Sequence, residues 1–236
     1  PHLSGRIVLN SDVLEKLLFK GVSRPKLSTE FPAKYITTQL EWSNLVINET
    51  TMVEVETIRN WIAYHESMIN EWDLKNKFKS GYKALFYGPP GTGKTFTATL
   101  LGKQFNRDVY RIDLSQVVSK YIGETEKNLE KIFQKAEDKN WILFFDEADA
   151  LFGKRTSVSS AHDRYANQET SYLLQRIEDF NGLVILASNN KANIDQAFLR
   201  RFNAIVHFPI PDAVERLHLW NIYLPANHGL TADELQ

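Results

Sequence analysis

The stretch Gly88-Pro89-Pro90-Gly91-Thr92-Gly93-Lys94-Thr95 decides the fold of this chain, because it fits the pattern G-x-x-x-x-G-K-[ST] at every constrained position. It follows an apolar run at 84–87 and precedes a helix-compatible stretch. That context favours a phosphate-binding loop over a plain Gly/Pro turn between strand and helix. Lys94 is expected to contact the β- and γ-phosphate oxygens, and Thr95 to ligate Mg²⁺. The sequence therefore predicts a site for a nucleoside triphosphate.

The composition argues against several other kinds of chemistry. The 236 residues include 28 Lys and Arg against 29 Asp and Glu, so no global positive field attracts nucleic acid or a membrane surface. Cysteine is absent, which excludes disulfides, thiolate zinc sites and cysteine nucleophiles. The longest apolar runs, such as 141–145 and 183–187, are too short to cross a bilayer. With no signal-peptide pattern, a cytoplasmic protein without a membrane partner is expected.

The chain from residue 83 onward alternates between strand-like and helix-like segments. This alternation predicts an α/β fold, a five-stranded and mostly parallel sheet with helices on both faces. Chemically active residues in such sheets lie at the carboxyl ends of the strands. The predicted strands are 83–87, 109–113, 141–145, 183–187 and 204–208, with helices near 95–106, 124–138 and 164–180.

The first eighty residues are less informative. They hold a β-like run at 5–10, a helix capped by Ser11, and a polar stretch at 21–40 that reads as a connector. A longer amphipathic helix is predicted from Thr50 or Thr51, with His65 on its apolar stripe. A histidine in that position is expected to be a packed residue rather than a metal ligand.

The apolar run Trp141 to Phe145 ends in two carboxylates, Asp146 and Glu147. A buried strand of this kind places the acids at the sheet edge that faces the phosphate loop. Asp146 is suited to hold Mg²⁺, and Glu147 to orient and deprotonate an attacking water. The alternative is a polar strand end beside a turn, which the upstream phosphate loop makes the weaker interpretation.

Residues 146–149 also spell the D-E-A-D of a family of RNA helicases. Those enzymes have two tandem domains that together exceed about 300 residues. Their second domain carries Ser-Ala-Thr and arginine-rich motifs. Neither motif occurs here, and the chain is too short, so the helicase interpretation is set aside.

Two further polar groups follow the fourth predicted strand. Asn189 ends that strand and can hydrogen-bond an attacking water or the γ-phosphate. The pair Arg200-Arg201 comes next. A pair of arginines is ordinarily a solvated surface. In a phosphate-loop enzyme that forms rings, such a guanidinium instead reaches the neighbouring subunit's site and stabilises charge on the transferred phosphate.

Taken together, these motifs resemble the AAA family of ATPases, in the family's order and spacing over residues 83–212. The matching pieces are 88–95, 144–151, 187–189 and 194–202, and Leu40 to Val46 looks like the family's entry segment beside the nucleotide. The resemblance implies ATP as the nucleotide, Mg²⁺ as the metal and a homo-oligomeric ring, most often a hexamer. It also implies an accessory segment at 1–40, the nucleotide-binding domain at 41–210 and the start of a helical lid at 211–236.

One element is similar to a narrower branch of that family. Residues 119–124 resemble the first pore loop of protein-remodelling members such as katanin and spastin. The resemblance implies that Tyr121 and Ile122 grip a polypeptide in the ring channel, with Gly123 letting the loop move. The alternative is that both side chains pack under the next helix. The local sequences at 113–115, 118–127 and 162–169 resemble those of ATPases encoded with bacterial contractile, phage-tail-like injection systems.

The expected function is that of a Mg²⁺-dependent ATP hydrolase whose ring remodels or disassembles protein partners. The alternative is an ATP-gated assembly factor that docks on a larger complex without threading, and sensitivity to substitution of Tyr121 separates the two. A nucleic-acid motor ranks third, and its mark would be stimulation by DNA or RNA with a steep salt dependence. Arg200 and Arg201 are both candidates for the residue that acts on the neighbour.

Overall fold

The computed structural model describes residues 24–28, 31–71, 81–115, 124–149, 171–189, 194, 196–225, 227 and 229–230. Strands and helices alternate through most of this range. The strands are β1 (Lys34–Ile36), β2 (Tyr82–Tyr87), β3 (Val109–Asp113), β4 (Ile142–Asp146), β5 (Leu183–Ser188) and β6 (Ala204–His207). The helices are α1 (Glu49–Glu71), α2 (Lys94–Gln104), α3 (Glu124–Lys139), α4 (described over 171–179), α5 (Gln196–Leu199) and α6 (Ala213–Tyr223).

The strands form one sheet in the order β1-β3-β4-β5-β2-β6. Every neighbouring pair is parallel except β1 and β3, which run antiparallel. The predicted α/β fold with a mostly parallel sheet is confirmed. Because the strands that bear polar residues run the same way, their carboxyl ends share one edge, where sites of such sheets form.

The prediction of five strands was one short, because β1 lies within the stretch interpreted as a polar connector. Its three residues carry too little periodicity to stand out in the sequence. A buried residue just before β1 holds this strand against the core. Phe31 is nearly inaccessible and packs edge-on against Tyr110, with ring centroids 5.8 Å apart. The described residues within 1–40 therefore include an edge strand of the sheet.

Alternate residues of each strand face opposite sides of the sheet, and each side has its own apolar core. Val109, Ile142 and Phe144 pack on one side with α1 and α2 residues such as Ile58 and Leu101. On the other side lie their sequence neighbours, together with residues of α3 and α4: Tyr110, Ile112, Leu143, Phe145, Ile132, Phe133, Leu173 and Ile177. By this alternation, Arg111 of β3 and Asp146 of β4 belong to the side covered by α2.

Most predicted elements lie within two residues of their observed bounds. His65 stacks on the ring of Trp61 with centroids 4.2 Å apart and stays partly exposed. The run at 5–10, the helix capped by Ser11 and the pore-loop residues Tyr121, Ile122 and Gly123 lie outside the described residues. Within the described part of the chain, no helix is long and apolar enough to cross a membrane.

Candidate active site

The phosphate loop connects β2 to α2, and its glycines hold backbone shapes that other residues rarely adopt. Gly88, Gly91 and Gly93 have φ of 147°, 79° and 101°. A Cβ atom on Gly88 would lie 1.9 Å from the carbonyl oxygen of Phe208, so this position also leaves no space for a side chain. The loop therefore closes tightly over the end of β2, and α2 begins at Lys94 with its free N–H groups directed at the loop.

Lys94 lies inside this loop with only 8% of its surface exposed. Its Nζ donates hydrogen bonds to the carbonyl oxygens of Gly88 (2.5 Å) and Pro89 (2.8 Å), and lies 3.5 Å from Asn189 Oδ1. Burial lowers the pKa of Lys94, and the nearby carboxylates of Asp146 and Asp149 oppose that shift. The loop thus holds an ammonium group beside Asn189, where it can exchange carbonyl acceptors for phosphate oxygens.

Asp146 and Glu147 lie at the carboxyl end of β4, as predicted. Asp146 is partly buried, and both of its carboxylate oxygens have partners. Oδ1 accepts a hydrogen bond from the backbone N–H of Glu147 at 3.0 Å, and Oδ2 lies 2.8 Å from Nη2 of Arg111. Glu147 is exposed and has φ of 58°, in the left-handed region that costs an L-residue free energy. Unusual backbone of this kind is often found at functional sites.

The sequence did not single out Asp149 or Arg111. Asp149 accepts hydrogen bonds from the hydroxyl of Ser188 (2.7 Å) and the backbone N–H of Asn189 (2.9 Å). This carboxylate ties the end of β4 to the end of β5 and fixes the backbone that carries Asn189. Its position three residues after Asp146 was visible in the sequence, but its partners are 39 and 40 residues away.

Arg200 and Arg201 lie elsewhere, between α5 and the start of β6. Arg201 pairs with Glu178, while no described residue pairs with the exposed Arg200. Asn203 fixes this turn to β2: its N–H donates to the carbonyl of Lys83 and its Oδ1 accepts from the N–H of Lys83, both at 2.8 Å. The arginines therefore lie near the amino end of β2, roughly 13 Å of strand away from the phosphate loop.

A cavity of about 340 Å³ adjoins the phosphate loop. It is large enough to be a small-molecule site. Leu40, residues 44–48, the loop and the first turn of α2 form one part of its wall, and α6 forms another. The sequence predicted the entry segment Leu40 to Val46 beside the nucleotide, but not the contribution of α6. Apolar lining groups suited to a nucleobase include Leu45, Ile47, Phe96, Leu219 and Tyr223.

The donor groups at the loop suit a hard cation. Thr95 offers a hydroxyl oxygen at the start of α2, and Asp146 offers a carboxylate at the end of β4. Mg²⁺ takes oxygen ligands of these types and commonly shares them with substrate phosphates. The residues present therefore fit the predicted metal, with Thr95 and Asp146 as the groups that would hold it.

Comparison with known proteins identifies the family. Residues 84–210, more than half of the chain, match the family described as "ATPase family associated with various cellular activities (AAA)". The chain belongs to the AAA family. The match begins in β2, includes the phosphate loop, Asp146, Glu147, Asn189 and both arginines, and ends after β6.

Curated AAA relatives come from several cellular processes. The chain is 33% identical over 184 residues to "Cell division protein C" of Sulfolobus acidocaldarius, covering 73% of this chain and 49% of that protein. It is 33% identical over 157 residues to "Protein SUPPRESSOR OF K(+) TRANSPORT GROWTH DEFECT 1" of Arabidopsis thaliana, covering 64% and 36%. A "Proteasome-activating nucleotidase" of Saccharolobus islandicus is 35% identical over 147 residues, covering 59% and 37%. The chain thus spans about half or less of the length of these relatives.

A solved structure supports the fold. The "FIGL-1 AAA domain in complex with ADP" superposes with a TM-score of 0.65 at 23% identity, covering 86% of this chain and 67% of that one. The mixed sheet with flanking helices is thus the AAA architecture.

The left-handed backbone at Glu147 leads to a stability prediction. We expect the Glu147→Gly protein to have a free energy of unfolding about 1 kcal/mol higher than the Glu147→Ala protein, because only glycine adopts this φ without a Cβ clash. Urea unfolding of both variants measures the difference. At the exposed helical position Lys131 the order should reverse, with alanine more stable than glycine by about 1 kcal/mol. Alanine proving the more stable residue at both positions would contradict the strained backbone.

Proposed function

We propose that this chain is the ATP-hydrolysing unit of an AAA ring that acts on a protein partner. The observation that carries the proposal is the separation of the two halves of the catalytic machinery. Lys94, Asp146, Glu147 and Asn189 lie at the carboxyl edge of the sheet, whereas Arg200 and Arg201 lie at the amino end of β2. Arginines in that position cannot serve their own phosphate loop, but a neighbouring subunit can receive them.

Each group then has a distinct part in hydrolysis. The phosphate loop and the N–H groups of α2 bind the phosphates, and Lys94 exchanges its carbonyl acceptors for phosphate oxygens. Thr95 and Asp146 would hold Mg²⁺, which when bound would supply positive charge against the phosphate oxygens. Glu147, exposed beside them, accepts the proton of the attacking water. Asn189, held by Asp149, is positioned to hydrogen-bond that water or the γ-phosphate.

The proposed protein partner depends on different support. Relatives of this chain include a nucleotidase named for activating the proteasome, which points to ATP use coupled to a protein assembly. The pore-loop interpretation of Tyr121, Ile122 and Gly123 stays a prediction. The hexameric state, the cytoplasmic location and the association with contractile injection systems also stay predictions. Residues 211–236 are proposed as the start of the lid, consistent with α6 lining the cavity.

The test is ATP turnover measured as a function of protein concentration. Turnover per subunit should rise with concentration in the wild type, because each active site needs a neighbour. Arg200→Ala should lower it by about 10³-fold. We expect a smaller loss in Arg201→Ala, since Arg201 is already paired with Glu178.

Mixing two inactive variants provides the matched control. Glu147→Gln subunits keep the arginines, and Arg200→Ala subunits keep the base. In an equal mixture, about a quarter of the sites combine an intact Glu147 with an intact neighbouring Arg200, so about a quarter of wild-type turnover should return. A concentration-independent rate with no recovery on mixing would refute the ring.

A further inference from the structure

Arg111 places a second positive charge at the predicted metal position. It lies on β3 opposite Phe144 of β4 and faces the α2 side of the sheet. Its Nη2 lies 2.8 Å from Oδ2 of Asp146, and the two side chains are 39% and 21% exposed. A charged pair that is partly withdrawn from water is stronger than an ordinary surface ion pair.

Each oxygen of Asp146 already has a partner. Oδ1 accepts the N–H of Glu147 and Oδ2 is paired with Arg111, so a cation that approaches Oδ2 meets the guanidinium. Lys94 is the other nearby cation, but its Nζ hydrogen-bonds within the phosphate loop. A metal ion entering the site would therefore compete with the guanidinium of Arg111 for Asp146.

The guanidinium of Arg111 also has N–H donors beyond the one that contacts Asp146. Its Nε is buried and lacks a hydrogen-bond partner among the described residues. A guanidinium has five N–H donors in a planar array that suits phosphate oxygens. When a metal binds Asp146, the N–H donors of Arg111 become available to other acceptors. When no metal is bound, Arg111 supplies positive charge beside Asp146.

We propose that Arg111 is a positioning residue that competes with the divalent cation for Asp146 and substitutes for its charge when the cation is absent. This inference rests on the proposed function, since it assumes that a nucleotide and a metal bind here. It makes nucleotide binding less dependent on the metal than it would be with Asp146 unpaired. Affinity for the metal and affinity for the nucleotide are linked, so a change in one appears in the other.

The experiment measures binding, not turnover. A fluorescent, non-hydrolysable ATP analogue is titrated into the protein with Mg²⁺ and again with EDTA. The quantity compared is the Kd in EDTA divided by the Kd with Mg²⁺. In Arg111→Met this ratio should be about fivefold larger than in the wild type, a linkage of about 1 kcal/mol. Binding with EDTA weakens because Asp146 is left uncompensated near the phosphates. Mn²⁺ affinity of the nucleotide complex, followed by electron paramagnetic resonance, should rise.

Two further variants control for charge and for folding. Arg111→Lys keeps the cation and should restore a ratio within about twofold of the wild type. Arg24→Met removes an arginine that pairs with Asp108 beyond the opposite end of β3, and should leave the ratio unchanged. Arg111→Gln replaces Arg111→Met if the methionine variant does not fold.

The outcomes separate the two proposals. Equal ratios in the wild type and Arg111→Met would overturn the role of Arg111 while leaving the nucleotide site intact. A ratio raised equally in Arg111→Lys would also overturn it, because the charge would not be the cause. A wild-type protein that binds the analogue under neither condition would instead overturn the proposed function.

Discussion

Glu147→Gln should bind ATP with near wild-type affinity and hydrolyse it about 10²- to 10³-fold more slowly. Glutamine retains the size and the backbone of Glu147 but cannot accept a proton from water at neutral pH. Because the side chain is exposed and its N–H still donates to Asp146, the substitution should leave the fold intact. Single-turnover hydrolysis and analogue binding, measured on the same preparation, separate loss of chemistry from loss of affinity.

The control is Glu71→Gln at the exposed end of α1, which removes one carboxylate far from the phosphate loop. It should hydrolyse ATP at the wild-type rate. Near-normal hydrolysis by Glu147→Gln would exclude Glu147 as the base. Asp149 would not be a ready substitute, since its two oxygens accept hydrogen bonds from Ser188 and Asn189.

Lys94→Met should weaken ATP binding by about 100-fold, or about 3 kcal/mol. Methionine has a side chain of similar length but lacks the ammonium group that we propose binds the phosphates. The buried amine now hydrogen-bonds two loop carbonyls, so the variant also frees those carbonyls. Isothermal titration with ATP and with ADP measures the affinities, and the larger loss is expected for ATP because Lys94 is proposed to contact the β- and γ-phosphates.

Lys131→Met is the control, at a lysine on another helix. Lys131 is exposed on α3, where its Nζ lies 3.5 Å from Oδ1 of Asn128. Its removal should change ATP affinity less than about twofold, as expected for a surface position. Equal affinity losses in Lys94→Met and Lys131→Met would mean that the loss does not come from contact with phosphate.

The elements that could be predicted are those whose cause is local in the chain. Residues 88–95 carry the loop pattern themselves, and Asp146 and Glu147 directly follow the apolar strand that places them. The helix from Thr50 or Thr51 was predicted because its apolar positions recur at helical spacing, and α1 begins at Glu49. Strand β1 was missed because three residues show no period, and it exists only because β3 offers an unpaired edge.

What the sequence alone determined here is the phosphate loop, the acidic strand end, the alternating α/β architecture and, through them, the kind of nucleotide chemistry. The loop and the acidic strand end each depend on residues within about ten positions of one another, and the architecture on a repeated alternation of short segments, so spacing translates directly into geometry. The tertiary structure decided which distant groups meet: Arg111 with Asp146, Asp149 with Asn189, and α6 with the entry segment. Those contacts join residues 35 or more positions apart, because strand order and helix packing, rather than local spacing, set which side chains become neighbours.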